Sequence, residues 1–454
     1  MSLMVSISGI RGIVGDSLTP DVVVKYAAAY AEYCNRGTII LGRDGRVTGK
    51  SVAHLVSSTL IEMGCNVKAI GVCPTPTVAL AVEKLKAAGG ISITASHNPN
   101  EWNGLKFFAP SGMFLDSDEN KRFWEIAQRG SFAFRAWDKQ GTHAAIPEFL
   151  EKHLALTLKL PWVKPALIRK RKLKVVVDCV NGSGGVIVPK LLRKLGCNVI
   201  ELNCDASGIF AHTPEPIPEN LTQLSKKVKS SLADLGIAID PDADRIVLID
   251  ERGIPVGEEY SIASTVKFVL SKLPRTKSKS VVVNLSTTRA VDEIARQYGA
   301  SVFRTAVGEI NVAKKMREIG AIIGGEGSGG IILPKVHLGR DAIVGTALVV
   351  QQLAEFDGSM SQLKATLPHF EIVKGKVQVG NLNANSVLLR LQKNFQTKGV
   401  LNYEDGLKID FPNSWVHLRK SNTEPILRII AEAPTKEEAS ALVKQFAIEI
   451  QKVE

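Results

Sequence analysis

Three segments of the chain repeat one local plan: Leu60 to Val67 (LIEMGCNV), Leu191 to Val199 (LLRKLGCNV) and Ile294 to Val302 (IARQYGASV). Each is an apolar helix end, then a glycine, then a valine-bearing run. Glycine supplies the left-handed residue that closes a helix, and the run after it re-enters a sheet. The plan is an α/β unit used three times, at intervals of roughly one domain. At 454 residues the chain is too long for one core and has room for three or four.

The expected architecture is therefore α/β with four domains: three related mixed α/β sheet domains and a smaller C-terminal α+β domain, around a central active-site cleft. We place domain I at 1–150, domain II at 151–253, domain III at 254–368 and domain IV at 369–454. Pro161 to Lys172 reads as a linker, followed by VVVD at Val175 to Asp178 as the first strand of the second unit. VVVN at Val281 to Asn284 plays the same part in the third. In the fourth, strands near Glu371 to Val379, Trp415 to Leu418 and Ile426 to Ala431 precede a helix from Lys436 towards Lys452. The NGSGG turn after Asp178 lacks both GxGxxG spacing and a terminal Gly-Lys-Ser/Thr, so it reads as a tight strand-to-helix turn and not as a nucleotide loop.

Candidate chemistry concentrates in a few loops. In TASHNPNEWNGLKF, Thr94 to Phe107, a short buried strand ends at Ala95 and returns at Leu105. Between them lie turn formers, which would hold Ser96 and His97 at a strand end facing a cleft, with Ser96 as the nucleophile candidate. In DPDADR, Asp240, Asp242 and Asp244 alternate on a loop between two apolar strands and can converge on one hard cation. Arg245 stands where an EF-hand loop needs glycine, so calcium is disfavoured and magnesium suits the site. GGEGSGG, 324–330, brings backbone close to a ligand, and Glu326 could accept two sugar hydroxyls. RKSNTEP collects Arg419, Ser421, Asn422 and Thr423, the donor set for a phosphate. SGIRG with Arg11, and GRDGR with Arg43 and Arg46, add glycine-flanked arginines of the same phosphate-seeking character.

Composition limits the alternatives. A net charge of +12, from 57 basic and 45 acidic residues, permits anionic partners, but the cations are dispersed and no aromatic interleaving supports nucleic acid. The six cysteines form no CxxC pair and read as reduced core residues. No apolar run approaches a membrane span, and the N-terminus carries no secretory signal, so a cytoplasmic location is expected.

Taken together, SGIRG, GRDGR, TASHNP with NGLK, DPDADR, GEGSGG and RKSNTEP resemble, in order and spacing, the α-D-phosphohexomutase superfamily of phosphoglucomutases, phosphomannomutases and phosphoglucosamine mutases. The resemblance spans nearly the whole chain and implies the same four-domain plan. It implies that Ser96 is the phosphorylated serine, and that Asp240, Asp242 and Asp244 ligate Mg2+ together with it. Glu326 and Ser328 would contact the sugar, Arg419, Ser421, Asn422 and Thr423 the phosphate not being transferred, and Arg11, His97, Lys106 and Arg245 would line the transfer site. The activity implied is interconversion of hexose 1-phosphate and hexose 6-phosphate, of glucose or mannose or alternatively glucosamine, with a hexose 1,6-bisphosphate as activator. Gly330 departs from the histidine that ends this loop in many members, which leaves Lys106 or His97 for proton traffic. Two other outcomes compete: a sugar-phosphate-binding protein without catalysis, and a magnesium phosphatase using an aspartate of DPDADR. Partners are expected to be small sugar phosphates, with no nucleic acid and no membrane.

Overall fold

The computed structural model describes residues 3–274, 278–378, 383–420 and 426–452. Its first sheet opens with β1 (Met4–Ser6) and β2 (Gly9–Ile13). Then follow α1 (Pro20–Tyr33), β3 (Thr38–Arg43), α2 (Gly49–Glu62), β4 (Asn66–Val72), α3 (Thr75–Lys84), β5 (Gly89–Ile93), β6 (Trp102–Phe108), α4 (Ser117–Arg129) and β7 (His143–Ala145). Helices α5 (Phe149–Leu158) and α6 (Pro165–Arg171) lead to β8 (Lys174–Asp178), α7 (Val188–Leu195), β9 (Asn198–Leu202), α8 (Thr222–Ser231), β10 (Leu235–Ile239) and β11 (Ile246–Ile249). The third sheet follows α9 (Glu258–Ser271): β12 (Ser280–Asn284), α10 (Ala290–Gln297), β13 (Ser301–Thr305), α11 (Glu309–Ile319), β14 (Ile323–Glu326) and β15 (Gly330–Ile332), closed by α12 (Ala342–Glu355) and α13 (Met360–Ala365).

The strand orders bear out the three-fold repeat. The first sheet contains β6-β5-β3-β4, the second is β11-β10-β8-β9, and the third, taken from its other edge, is β15-β14-β12-β13. With strands numbered one to four inside each unit, every one reads 4-3-1-2. The first three strands are parallel and the fourth is antiparallel to the third. The repeated glycines close the helix between strands one and two in all three units, with φ of 93° at Gly64, 97° at Gly196 and 65° at Gly299. Side chains on these central strands alternate between faces. Val175 and Val177 enter one core while Val176 enters another, as expected of a sheet covered by helices on both sides.

One of those cores is continuous through all three units, from Ile40 and Phe108 through Ile237 to Val283 and Ile323. Helix α12, AIVGTALVVQQLAE, is buried from Ala342 to Ala354 and packs against α5, α6, α7 and α9. A helix apolar on every side has no other stable place. Its first turn is fixed by Asp341, whose carboxylate accepts from the N–H groups of Ile343 and Val344, an N-cap that satisfies otherwise orphaned donors.

The C-terminal unit is built differently. Strands β16 (Glu371–Gln378), β17 (Val400–Asn402), β18 (Leu407–Asp410), β19 (Trp415–Lys420) and β20 (Ile426–Ala433) form an antiparallel sheet in the order β16-β20-β19-β18-β17, with α14 (Ala384–Phe395) and α15 (Lys436–Gln451) upon it. It has a separate core, including Val387, Leu391, Leu418 and Phe446. Its junction with the rest of the chain is rich in polar contacts. The Arg289 N–H donates to Glu432 at 3.0 Å, the Arg289 guanidinium to the carbonyls of Phe411 and Pro412, Ser286 meets His417 at 2.8 Å, and the Val307 N–H donates to Asp405 at 2.9 Å.

Two expectations change. Pro161 to Lys172 is not an open linker, because Pro165 starts α6 with its φ already set for a helix, and the basic residues of its last turn suit the helix C-terminus. In the C-terminal unit α14, β17 and β18 add to the elements expected from sequence. The six cysteines are free, five of them buried, and among the described residues no helix is long and apolar enough to cross a membrane.

Candidate active site

Strands three and four of each repeat are joined by a tight turn, and all three turns carry a motif singled out above. The β5–β6 turn holds Ser96 and His97, the β10–β11 turn holds Asp240 to Arg245, and the β14–β15 turn holds Gly327 to Gly329. The turns lie side by side. The Ile246 N–H donates to the Gly329 carbonyl at 3.0 Å, joining the second to the third, and the aspartate turn is further held by the N–H groups that open two helices, Thr75 of α3 to the Asp242 carbonyl at 2.9 Å and Ala342 of α12 to the Ala243 carbonyl at 3.2 Å. A cavity of ≈ 820 Å³ opens over them, lined by all four units.

Ser96 is held under constraint. Its φ of 51° lies in the left-handed region, which a side chain adopts only when its surroundings impose it. Arg46 is the chief constraint. Its Nη atoms donate to the carbonyls of Ser96, Asn98, Pro99 and Trp102 at 2.6–2.8 Å, and its Nε pairs with Asp44 at 3.1 Å. Asp44 in turn accepts from Thr94 Oγ1 at 2.7 Å, and Thr94 Oγ1 accepts from the Ser96 N–H. Arg46 is only 1% exposed, and its donors are committed to the loop. The expectation that it seeks phosphate is thus corrected: it braces the serine turn. Arg43, half-buried, donates to the Asp44 carbonyl. Arg11 lies beside the same turn, its guanidinium on Asn98 Oδ1 at 2.9 Å, and burial lowers its pKa.

Ser96, 8% exposed, faces the cavity with Oγ 3.3 Å from His97 Nδ1. Burial, with Arg245 and Arg11 nearby, pulls the His97 pKa down to about 3, so the ring is neutral. Lys106 on β6 reaches Asp242 at 2.6 Å and Asp244 at 3.5 Å. Burial works against its ammonium, but the two carboxylates outweigh it and raise its pKa.

Asp240, Asp242 and Asp244 are all buried, and each turns an oxygen to within 4.8 Å of the others. Burial and the neighbouring Asp244 push the Asp240 carboxyl up to about 8. Burial also opposes the charge of Asp244, yet Arg340, Lys106 and Arg245 hold it well below the usual range. Oδ1 of Asp242 and Oδ1 of Asp244 are buried without a hydrogen-bond donor among the described residues. Orphaned buried oxygens are costly, and three converging carboxylates are an oxygen donor set fit for a hard divalent cation. Arg245 pairs with Asp240 at 3.0 Å and lines the cavity.

The wall built on the GEGSGG turn holds a residue that sequence reasoning missed. Arg340 joins Asp244 at 2.6 Å, Glu326 at 2.7 Å and Glu309 at 3.1 Å, tying the aspartate turn to the GEGSGG turn. It also accounts for Gly330, since a methyl group there would overlap the Arg340 side chain. Glu326 further accepts from Asn284 at 2.9 Å and from the Gly308 N–H at 3.0 Å. Glu326 and Ser328 both line the cavity.

The fourth wall is basic. Lys376 on β16, Arg428 on β20 and Arg419 on β19 are cross-strand neighbours on one rung and all face the cavity. Like charges directly opposite one another destabilise a sheet, so this rung concentrates positive charge that nothing on the same rung offsets. Arg419 is held at Nε by Asp405 at 2.8 Å. Lys376 and Arg428 were missed, although the alternation Lys374, Lys376 along a strand marks a charged face. Ser421, Asn422 and Thr423 lie outside the described residues.

Comparison with known proteins agrees in extent. Four models of the phosphoglucomutase/phosphomannomutase series match in order: alpha/beta/alpha domain I over residues 4–134, domain II over 149–253, domain III over 258–370 and the C-terminal domain over 376–449. The "Phosphoglucomutase/phosphomannomutase" of Thermococcus kodakarensis is 36% identical, covering 95% of this chain and 94% of its own. The "Probable phosphoglucosamine mutase" of Methanopyrus kandleri is 35% identical over 97% and 96%. A crystal structure of a phosphoglucomutase/phosphomannomutase family protein from Burkholderia thailandensis superposes with a TM-score of 0.85 at 24% identity, covering 99% of this chain and 98% of the other.

Proposed function

The chain belongs to the phosphoglucomutase/phosphomannomutase family of intramolecular phosphotransferases, and from that membership we propose that it interconverts the 1- and 6-phosphates of a hexose or hexosamine through Ser96. The observation that carries this reading is the meeting of three topologically equivalent turns under one cavity with a basic wall opposite. One turn presents a hydroxyl, one a triad of carboxylates, one a sugar-sized polar loop. A phosphoryl group carried on Ser96 Oγ passes to the free hydroxyl of the bound sugar monophosphate: the Oγ–P bond breaks, the sugar O–P bond forms, and the proton given up by the sugar hydroxyl is taken up on the freed Ser96 Oγ. The bisphosphate then presents its other end. Its phosphoryl group returns to Ser96, and the freed sugar oxygen takes up a proton. A hexose 1,6-bisphosphate would serve as activator by loading Ser96 at the start.

Each residue has a part that the geometry supports. Asp240, Asp242 and Asp244, with the oxygen on Ser96, would hold Mg2+, which when bound neutralises charge on the transferring group. Lys106, Arg245 and Arg11 add fixed positive charge, and fixed charge rather than covalent chemistry is what phosphoryl transfer requires. Neutral His97, in contact with Ser96 Oγ, is placed to exchange its proton. Glu326 and Ser328 position the ring hydroxyls. Arg419, together with Lys376 and Arg428, holds the phosphate that stays, and Ser421, Asn422 and Thr423 are proposed to join it. Such a site recognises phosphate without reading which sugar carbon bears it.

The test is mass spectrometry of freshly purified protein beside a mutase assay. One phosphoryl group on Ser96, lost with all turnover in Ser96→Ala, is the expected result. An unphosphorylated wild type with no turnover would leave only sugar-phosphate binding. Stoichiometric release of inorganic phosphate would mark a phosphatase instead.

A further inference from the structure

The middle of the sugar-facing turn is a glycine, flanked by Glu326 and Ser328, both of which face the cavity. The place of its missing side chain is not empty. A methyl group on Gly327 would overlap both carboxylate oxygens of Glu259, the second residue of α9, and Glu259 itself lines the cavity. A carboxylate from another element therefore stands where the loop would otherwise present its own side chain.

That carboxylate differs from its neighbours. Glu326 and Glu309 pair with Arg340, and Glu258 pairs with Lys374. Glu259 has no salt bridge among the described residues. Its Oε2 accepts from the Thr288 N–H at 2.9 Å, and Oε1 meets no hydrogen-bond donor among the described residues. Burial, followed by the nearby Glu258, pushes its pKa up to about 8, and Lys374 offsets only part of that shift. A hydroxyl would give it an ordinary hydrogen bond. An ammonium group would favour the ionised carboxylate and give a charge-assisted one, roughly twice as strong.

We propose that Glu259 is a specificity-determining residue that binds a cationic amino substituent on the sugar ring, so that the enzyme selects hexosamine phosphate over neutral hexose phosphate. The inference rests on the mutase function proposed above and deepens it to a substrate class.

The test compares kcat/KM for glucosamine 1-phosphate and glucose 1-phosphate in the full-length wild type, Glu259→Gln and Gly327→Ala. The wild type should favour glucosamine 1-phosphate. Either variant should lower the glucosamine-to-glucose ratio by roughly thirtyfold, the size of a lost charge-assisted contact. Gly327→Ala acts without touching Glu259 chemically: the new methyl group displaces the flexible carboxylate, and Gly327 has no positive φ to oppose the change. A ratio unchanged in both variants, or a wild type preferring glucose 1-phosphate, overturns the proposal. A wild type that turns over neither substrate overturns the mutase reading alone. In that case calorimetric titration of glucosamine 6-phosphate and glucose 6-phosphate into wild type and Glu259→Gln decides the specificity question, since the same change in preference is required of binding.

Discussion

Arg46→Lys isolates the brace under the serine turn while keeping its charge. Arg46 donates to four carbonyls at 2.6–2.8 Å and to Asp44 at 3.1 Å. A lysine that stays on Asp44 has one nitrogen in place of three and can reach at most two of those carbonyls. At the low end for bonds to a charged donor, ~1.5 kcal/mol each, two lost bonds cost about 3 kcal/mol. Applied to local opening of the turn, that energy is about a hundredfold, and it should appear as a hundredfold faster amide exchange across residues 94–104. Turnover should fall at least tenfold because Ser96 loses its imposed geometry, with KM little changed. Exchange mass spectrometry and steady-state kinetics on the same preparation would check both. Exchange within threefold of wild type, with turnover intact, would show that the turn holds itself and that Arg46 is not its brace.

Asp242→Asn removes charge from one of the two donorless oxygens in the triad, and it should weaken Mg2+ binding and slow transfer far more than it changes sugar-phosphate affinity; a magnesium titration of rate checks this. Arg419→Ala should lower kcat/KM about thirtyfold, ~2 kcal/mol for a lost bidentate phosphate contact, in both reaction directions, and release more bisphosphate; a one-directional defect would place the distal phosphate elsewhere. Lys408, with its side chain 2% exposed, has its pKa pulled down to about 8, first by burial and then by Arg304. The unfolded chain keeps this proton up to about pH 10, so between about pH 8 and 10 the unfolded state binds more protons and the wild type gains stability as pH rises. Lys408→Met should therefore be more stable by about 2 kcal/mol at pH 7, and thermal melts should show that margin shrinking towards pH 10.

What was legible in the chain was chemistry confined to one loop. The aspartates of DPDADR and the serine of TASHNP declare themselves because their partners are next to them. The repeat was legible too, since a helix-ending glycine requires a left-handed residue wherever it recurs. Arg46 was misread because sequence displays a guanidinium next to a glycine but not the four carbonyls that consume it. Arg340 and Glu259 were missed for the opposite reason. Each is a single charged residue on an otherwise ordinary helix or loop, and its importance arises only when folding brings another element's vacancy to it. Gly327 and Gly330 were the visible halves of those pairs. Sequence shows only that they are glycines; that Glu259 and Arg340 fill the space a side chain would take is visible only in the packing.

The first three units share one apolar core, whereas the fourth meets them across a seam of hydrogen bonds to Glu432, His417, Asp405 and the carbonyls of Phe411 and Pro412. Water can replace such contacts at a net cost of about 1 kcal/mol each, while parting any two of the first three units would strip apolar surface bare. The molecule is mechanically asymmetric: three walls of the cavity form a rigid anvil, and the basic wall is the one that can hinge. On the proposed function, a bisphosphate turning end for end would have its clearance on that side, and the wall that swings would also be the one that grips the phosphate in either orientation.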